Sequence, residues 1–187
     1  MAVFSLIIRF FTLPAVLTGT MAALLWLGGG LSGREWIVAE ICLMLIPLLA
    51  YPVGAIGQKK GSARRNRQRT FAMVFSAVGY LLGLCWALWT DASRLSRILF
   101  GSYFLSTLVL LLLNKGFHFR ASGHACSTTA PLIFLSWQFG PQWLLPCALV
   151  VVAVYSASLR LKRHTLPQLT VGSLTSLLSG SLCFLIF

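Results

Sequence analysis

Seven apolar runs, at about 14–31, 36–57, 70–90, 95–114, 125–140, 142–159 and 167–187, fill almost the whole chain and leave only short polar islands between them. At a rise of 1.5 Å per residue, about 21 residues reach across the ~30 Å hydrocarbon core of a bilayer. Inside that core each backbone N–H and C=O needs a partner, which an α-helix supplies within the segment and an open strand does not. The runs therefore predict an all-α, integral-membrane helical bundle of six to seven transmembrane helices. One bundle uses the whole chain, residues 1–187, as a single domain in a multi-pass protein of the cell membrane. The runs at 125–140 and 142–159 are the shorter ones, and Gly140-Pro141 between them is a turn signal. Composition agrees: 58% of residues are hydrophobic and 10% charged, against about 25% charged in a soluble domain.

Residues 1–12 carry one basic residue, Arg9, and no small-x-small cleavage signal precedes Gly28-Gly29-Gly30, so the segment is expected to be retained rather than removed as a leader. Phe4, Phe10 and Phe11 suit the membrane interface, with Thr12 capping a helix that Pro14 opens. Cys42, Cys85, Cys126, Cys147 and Cys183 include no C-x-x-C pair, and four of them lie in apolar runs. They read as small buried hydrophobes, and no zinc spacing is present. Ser173, Ser176, Ser179, Gly180 and Ser181 dot the last run with small residues that let membrane helices pack closely.

Charge is scarce and one-sided. The acids are Glu35, Glu40 and Asp91, against fifteen Lys and Arg. Two helices precede the basic segment 58–69, two more lead to the island before His124, and two more to the island before His164. An even number of crossings puts all three islands on one side, where they can converge on one pocket. Twelve of the fifteen cations fall on that side by this count, and Arg34, Arg94 and Arg97 on the other. The positive-inside rule then places the islands in the cytoplasm, although a phosphate pocket demands cations for its own reasons. Glu40 lies toward the opposite end, out of reach of either histidine, and is expected at the interface or in a hydrogen bond to a neighbouring helix.

Each island has a chemical reading and a plain one. Lys59, Lys60, Arg64, Arg65, Arg67 and Arg69 offer planar forks and point charges for phosphate oxygens; the same run is also an ordinary polybasic loop touching anionic lipid. Nucleic acid is disfavoured, since no aromatics interleave the charges. Ser122-Gly123-His124 opens a helix whose first amides can bind an oxyanion, with Gly123 allowing close approach; the plain reading is an N-capping serine followed by an incidental histidine. His118 reads as a loop residue. Thr165 and Gln168 form a capping box with Pro167 in the first turn, placing His164 just ahead of a helix start. Gln168 has a second possible role, since its amide oxygen can hold the His164 ring in one tautomer as a carboxylate does in a triad. Histidine is the side chain suited to proton transfer and phosphoryl acceptance near neutral pH.

The three islands together resemble the signature of the type 2 phosphatidic acid phosphatase family of integral-membrane phosphatases, whose pattern is K-x6-R-P, then P-S-G-H, then S-R-x5-H-x3-D. Lys60 and Arg67 have the first spacing, Ser122, Gly123 and His124 match three letters of the second, and His164 matches the histidine of the third, with Gly172 following at the expected glycine. Gln68 and Ala121 stand where the pattern has prolines, Ser158 where it has arginine, and Gln168 where it has aspartate. Glutamine at that last position also occurs in the dolichyl-diphosphatase and glucose-phosphatase branches. The motifs cover about 35 residues of the chain.

The resemblance implies a metal-independent hydrolase of lipid phosphate monoesters or diphosphates, with no cofactor. His164 is then the nucleophile and His124 the general acid and base. Gln168 orients His164. Lys60, Arg67, the amides of Ser122 and Gly123, and Arg160 or Arg163 hold the phosphoryl oxygens. Scarcity of carboxylates agrees with a site that needs no magnesium and argues against the Asp-rich, magnesium-dependent prenyl transferases. Phosphatidate, phosphatidylglycerophosphate and polyprenyl diphosphates all fit as substrates; membrane lipids surround the chain, nucleic acid is no partner, and nothing in the sequence fixes an oligomeric state. Family members usually turn the site away from the cytoplasm, opposite to the charge count. The alternatives are a catalytically inactive relative that binds anionic lipid, for which Ser158 is the motive, and a transporter or structural bundle.

Overall fold

The structure, a computed structural model, describes residues 13–57 and 61–187. Lys60, Lys59, Arg9, Thr12 and the interfacial segment 1–12 lie outside the described residues. Among the described residues there are seven helices and no strand: α1 Pro14–Leu27, α2 Gly33–Ala55, α3 Ser62–Trp89, α4 Arg94–Gly116, α5 Gly123–Phe139, α6 Leu144–Arg160 and α7 Leu166–Ile186. Five segments are long and apolar enough to cross a membrane: α2, Asn66–Trp89 of α3, α4, Pro141–Arg160 and α7. α1 has 14 residues and α5 has 17.

Local chemistry sets most of the boundaries. Pro14 starts α1, with Leu13 at the capping position. Ser32 and Glu35 form a capping box on α2, and the Ser93 hydroxyl caps α4 by accepting the Ser96 N–H. α2 widens into a π turn over Glu40–Leu45, just ahead of Pro47. Pro47 has no N–H to give the Leu43 carbonyl, and the Thr18 hydroxyl of α1 lies 3.2 Å from that carbonyl. A second π turn, Leu112–Gly116, ends α4.

The antiparallel helices give the bundle two ends. At one, Glu35 of α2 accepts from the Ser93 N–H at 2.7 Å and the Ser96 hydroxyl at 2.9 Å of α4. Arg94 donates to the Phe184 and Phe187 carbonyls that close α7, and Gly28 and Gly30 after α1 pack on Phe139 and Gln138 of α5. All six tryptophans, Trp26, Trp36, Trp86, Trp89, Trp137 and Trp143, belong to helix segments at this end, as in the aromatic belt of a membrane interface. The other end gathers the N-termini of α1, α3, α5 and α7. Between them lies a core around Phe100, Phe134, Leu25, Leu43 and Ile98.

Two expectations are corrected. Glu40 is neither exposed nor hydrogen-bonded to another helix; it is half-buried beside Gly19 of α1 and accepts from Trp36 Nε1, one turn back on its own helix, at 2.9 Å. Cys85 is exposed on the outer surface of α3, whereas the other four cysteines are buried.

Candidate functional site

The first turn of α5 is fixed by its cap and by α7. Ser122 Oγ accepts the Ala125 N–H, and the Ser122 N–H donates to the Gln168 carbonyl at 2.9 Å. Ser122 is fully buried. Four residues along α7, Gly172 lies so close that a Cβ there would sit 2.3 Å from the Ser122 carbonyl oxygen. Backbone, not side chains, thus clamps the second island against the third. The Ser122 N–H is spent on this clamp and Ser122 does not line the cavity beside it, contrary to the expectation that its amide holds a phosphoryl oxygen; Gly123 and His124, next in the chain, do line it.

The third island turns back on itself. α6 ends at Arg160, Lys162 takes a left-handed φ of 50°, and the Arg163 N–H closes on the Ser158 carbonyl at 3.0 Å. This reversal carries Arg163 and His164 into the cavity wall. Gln168 Oε1 lies 3.2 Å from the Thr165 N–H and 3.2 Å from His164 Nδ1. A backbone N–H can only donate, so the amide atom facing it is oxygen; the same oxygen then requires a proton on Nδ1. In the neutral ring the lone pair is therefore on Nε2, the nitrogen a nucleophile needs. Gln168 fills both roles read from the sequence at once, through a single oxygen.

The first island is mostly helix, not loop. α3 begins at Ser62, so Arg67 and Arg69 point about 200° apart on a 3.6-residue turn. Arg67 is exposed on the outer side, donating to the Ile56 carbonyl at 3.2 Å and lying 5.3 Å over the Phe71 ring. It does not line the cavity, contrary to the expectation drawn from the motif spacing. Arg69, two residues on, does. Gln68 donates to the Tyr51 carbonyl at 3.0 Å, and Gly54 allows that approach, since a Cβ would meet the Gln68 backbone at 2.9 Å.

The cavity holds about 700 Å³ and is lined from all three islands: Arg69, Arg120, Gly123, His124, Arg163 and His164. Of the alternatives Arg160 and Arg163, the turn after α6 brings in Arg163 and leaves Arg160 exposed outside. Ser158 is fully buried and is not part of the wall. Arg163 and His164 also border a second hollow of about 350 Å³, with Lys162, Thr165 and Gln168. His118 is exposed in the loop after α4 with a φ of 54°.

Deeper in the bundle the wall stays polar. Ser102, Ser106, Ser127 and Ser176 line it together with Tyr80 and Tyr103, and all six are buried. The hydroxyls of Ser102, Ser106 and Ser127 donate to carbonyls of their own helices, at Ile98, Tyr103 and Gly123. Tyr103 packs edge-on to Tyr80 at 5.4 Å and stacks with Phe134 at 6.5 Å to close the floor.

Electrostatically the cavity mouth is unbalanced. Arg69 and Arg120 are near enough for their like charges to repel, and Arg163 adds a third guanidinium. The chain has three acidic side chains: Glu35 ties α2 to α4 at the opposite end, Asp91 pairs there with Arg97 at 3.3 Å, and Glu40 bonds Trp36. No carboxylate side chain is left to neutralise the cavity. An arrangement of guanidiniums, helix-start amides and two imidazoles in one pocket can bind an oxyanion, donate a proton to it and attack it.

The sequence offered Arg69 only as one of the cations of the first island, with Arg67 singled out instead, and gave no role to Asn114, a lone amide closing the apolar run of α4 and bonded to Arg69. Its only signal was a polar residue at the end of that run. Compared with known proteins, the chain matches no family model, no curated protein and no solved structure.

Proposed function

We propose that the protein is a membrane-embedded hydrolase of lipid phosphate monoesters or diphosphates, related in its chemistry to the type 2 phosphatidic acid phosphatases, with six to seven of its helices crossing the bilayer. The observation that supports this reading is that His124, His164 and three guanidiniums, drawn from islands far apart in the chain, line one cavity and have no carboxylate to balance them.

In this reading His164 Nε2 attacks phosphorus. A P–N bond forms, the P–O bond to the lipid breaks, and protonated His124 gives its proton to the departing oxygen. Water then attacks the phosphohistidine, His124 takes its proton, the P–N bond breaks, and inorganic phosphate leaves. Arg163, its neighbouring guanidiniums and the amides opening α5 spread the charge of the phosphoryl oxygens, the main demand of phosphoryl transfer. Gln168 keeps Nε2 unprotonated for attack. The cavity mouth lies at the end of the helices, so a lipid headgroup enters while its tail stays in the bilayer.

The test is phosphate release by the purified protein from a panel of glycerolipid phosphates and prenyl diphosphates in detergent. Release that persists in EDTA and vanishes in His164→Ala is expected. Binding of anionic lipid without release from any substrate would replace this reading with the inactive relative. Release abolished by EDTA would break the metal-free mechanism.

A further inference from the structure

We infer that Arg69, aimed by Asn114, is a phosphate ligand of this cavity, although no motif spacing marks either residue. The inference deepens the proposed function and rests on that reading only in requiring that a phosphoryl group enter the pocket.

Helix phase comes first. Because α3 already runs from Ser62, one face of its basic start meets the cavity and the opposite face meets the surroundings. Arg67 falls on the outer face, with its guanidinium engaged by the Ile56 carbonyl and the Phe71 ring. Arg69 falls on the inner one and is half-buried in the cavity wall.

The aim of Arg69 is set by Asn114. Asn114 Nδ2 donates to the Leu110 carbonyl at 2.7 Å and lies 3.4 Å from the Ala121 carbonyl. Both partners are acceptors, so the amide orientation is fixed and Oδ1 must face outward from them. An Arg69 terminal nitrogen lies 3.4 Å from that oxygen. Asn114 sits within the π turn Leu112–Gly116, a widened turn of the kind that re-aims side chains at functional sites. Ala121 immediately precedes Ser122 and Gly123. One amide therefore joins the guanidinium to the backbone that opens α5.

Electrostatics supplies the reason for an anion. Asn114 occupies one N–H direction of a five-donor fork and leaves the others available. Arg69 is held near Arg120 with no carboxylate to relieve the repulsion. A phosphoryl group between them accepts from both and removes it. Ser158, where the family pattern has an arginine, is buried away from the wall. The fork that α6 lacks is supplied from α3.

The experiment uses the full chain in detergent with two readouts: thermal stabilisation by inorganic phosphate, and phosphate release from the best substrate of the panel. Arg69→Ala is expected to lose the stabilisation and about 10²–10³-fold in kcat/KM, the usual effect of removing one transition-state donor. Arg69→Lys restores charge but not the fork, so it recovers only part, and it also serves if the alanine variant fails to fold. Arg67→Ala stays within about twofold of wild type. Asn114→Ala weakens both readouts in the wild-type background and adds nothing in the Arg69→Lys background, the signature of a residue acting through another. Equal losses in Arg67→Ala and Arg69→Ala, or no loss in Arg69→Ala, overturn the assignment even if the protein is a phosphatase. Arg69-dependent stabilisation by phosphate in a protein that hydrolyses nothing upholds it while the phosphatase reading falls. Absence of both stabilisation and release in wild type removes both.

Discussion

Two glycines near the candidate site separate holding the fold from making room for a ligand. Gly172 has no space for a methyl group: its Cβ would lie 2.3 Å from the Ser122 carbonyl oxygen and 3.3 Å from the Ser122 nitrogen. These are backbone atoms pinned by a cap and an interhelix hydrogen bond, so neither side can yield cheaply. Gly172→Ala is expected to destabilise the protein by about 1–3 kcal/mol or more and to lower turnover with it, because the second and third islands separate. Gly123 is the opposite case. The nearest atom to its Cβ is Leu110 Cδ1 at 3.9 Å, and the residue already lies in a helix. Gly123→Ala is expected to leave the melting temperature in detergent unchanged or slightly raised, while the new methyl at the cavity wall displaces the phosphoryl group and lowers kcat by about a hundredfold. Melting curves and turnover measured on both variants check the pair. If Gly123→Ala turns over normally, the amides opening α5 do not hold the phosphate.

Among the helices, Glu35 is the join that keeps α2 and α4 in register at the end away from the cavity. One carboxylate oxygen accepts the Ser32 N–H at 2.7 Å, and the other accepts the Ser93 N–H at 2.7 Å and the Ser96 hydroxyl at 2.9 Å. Every partner donates, and both helix starts favour a negative charge. A glutamine of the same shape must turn its NH₂ toward one set of donors. Glu35→Gln is therefore expected to cost about 1–3 kcal/mol, seen as a lower melting temperature, with KM for the lipid substrate unchanged. An unaltered melting temperature would show that the join is dispensable. The sequence showed Glu35 only as one of three acids, and the contrast with the other capped starts is instructive. Pro14, and Thr165 with Gln168, announced their helices because capping is local chemistry. The apolar runs announced all seven helices for the same reason: hydropathy is a property of consecutive residues. The start of α3 stayed hidden, since Arg64, Arg65, Asn66, Arg67 and Gln68 read as a loop by polarity although the helix runs through them. With the start went the phase, and with the phase the choice between Arg67 and Arg69. Asn114 was hidden because its meaning lies in a π turn and in partners on two other segments. The histidines and the Ser-Gly-His turn were legible because their spacing is fixed by the chemistry they suit, whereas which cation reaches the cavity is decided by helix rotation.

For the molecule as a whole, the open question is which side of the membrane the cavity meets. The charge bias had two competing causes, and the structure separates them. Arg69, Arg120 and Arg163 line the cavity and are the cations that the proposed phosphate site would account for. Among the described residues Arg64, Arg67, Lys115, Arg160 and Lys162 remain at the same end without lining it. At the opposite end stand Arg34, Arg94 and Arg97, and the rule counts them whether or not they are paired. The excess survives removal of the cations a phosphate site explains, so it acts as a topology signal in its own right. The six tryptophans mark the other interface but carry no sign, since aromatic belts form on both sides. The cavity is therefore expected to face the cytoplasm, against the usual orientation of the family the motifs resemble. With Cys85 replaced by alanine, Lys115→Cys reports the cavity end and Asp91→Cys the other, both at exposed positions. A membrane-impermeant maleimide applied to intact cells is expected to label Asp91→Cys and to reach Lys115→Cys only after permeabilisation. The reverse pattern would place the cavity outside, and the surplus cations around its mouth would then have to serve capture of an anionic lipid headgroup rather than orientation in the membrane.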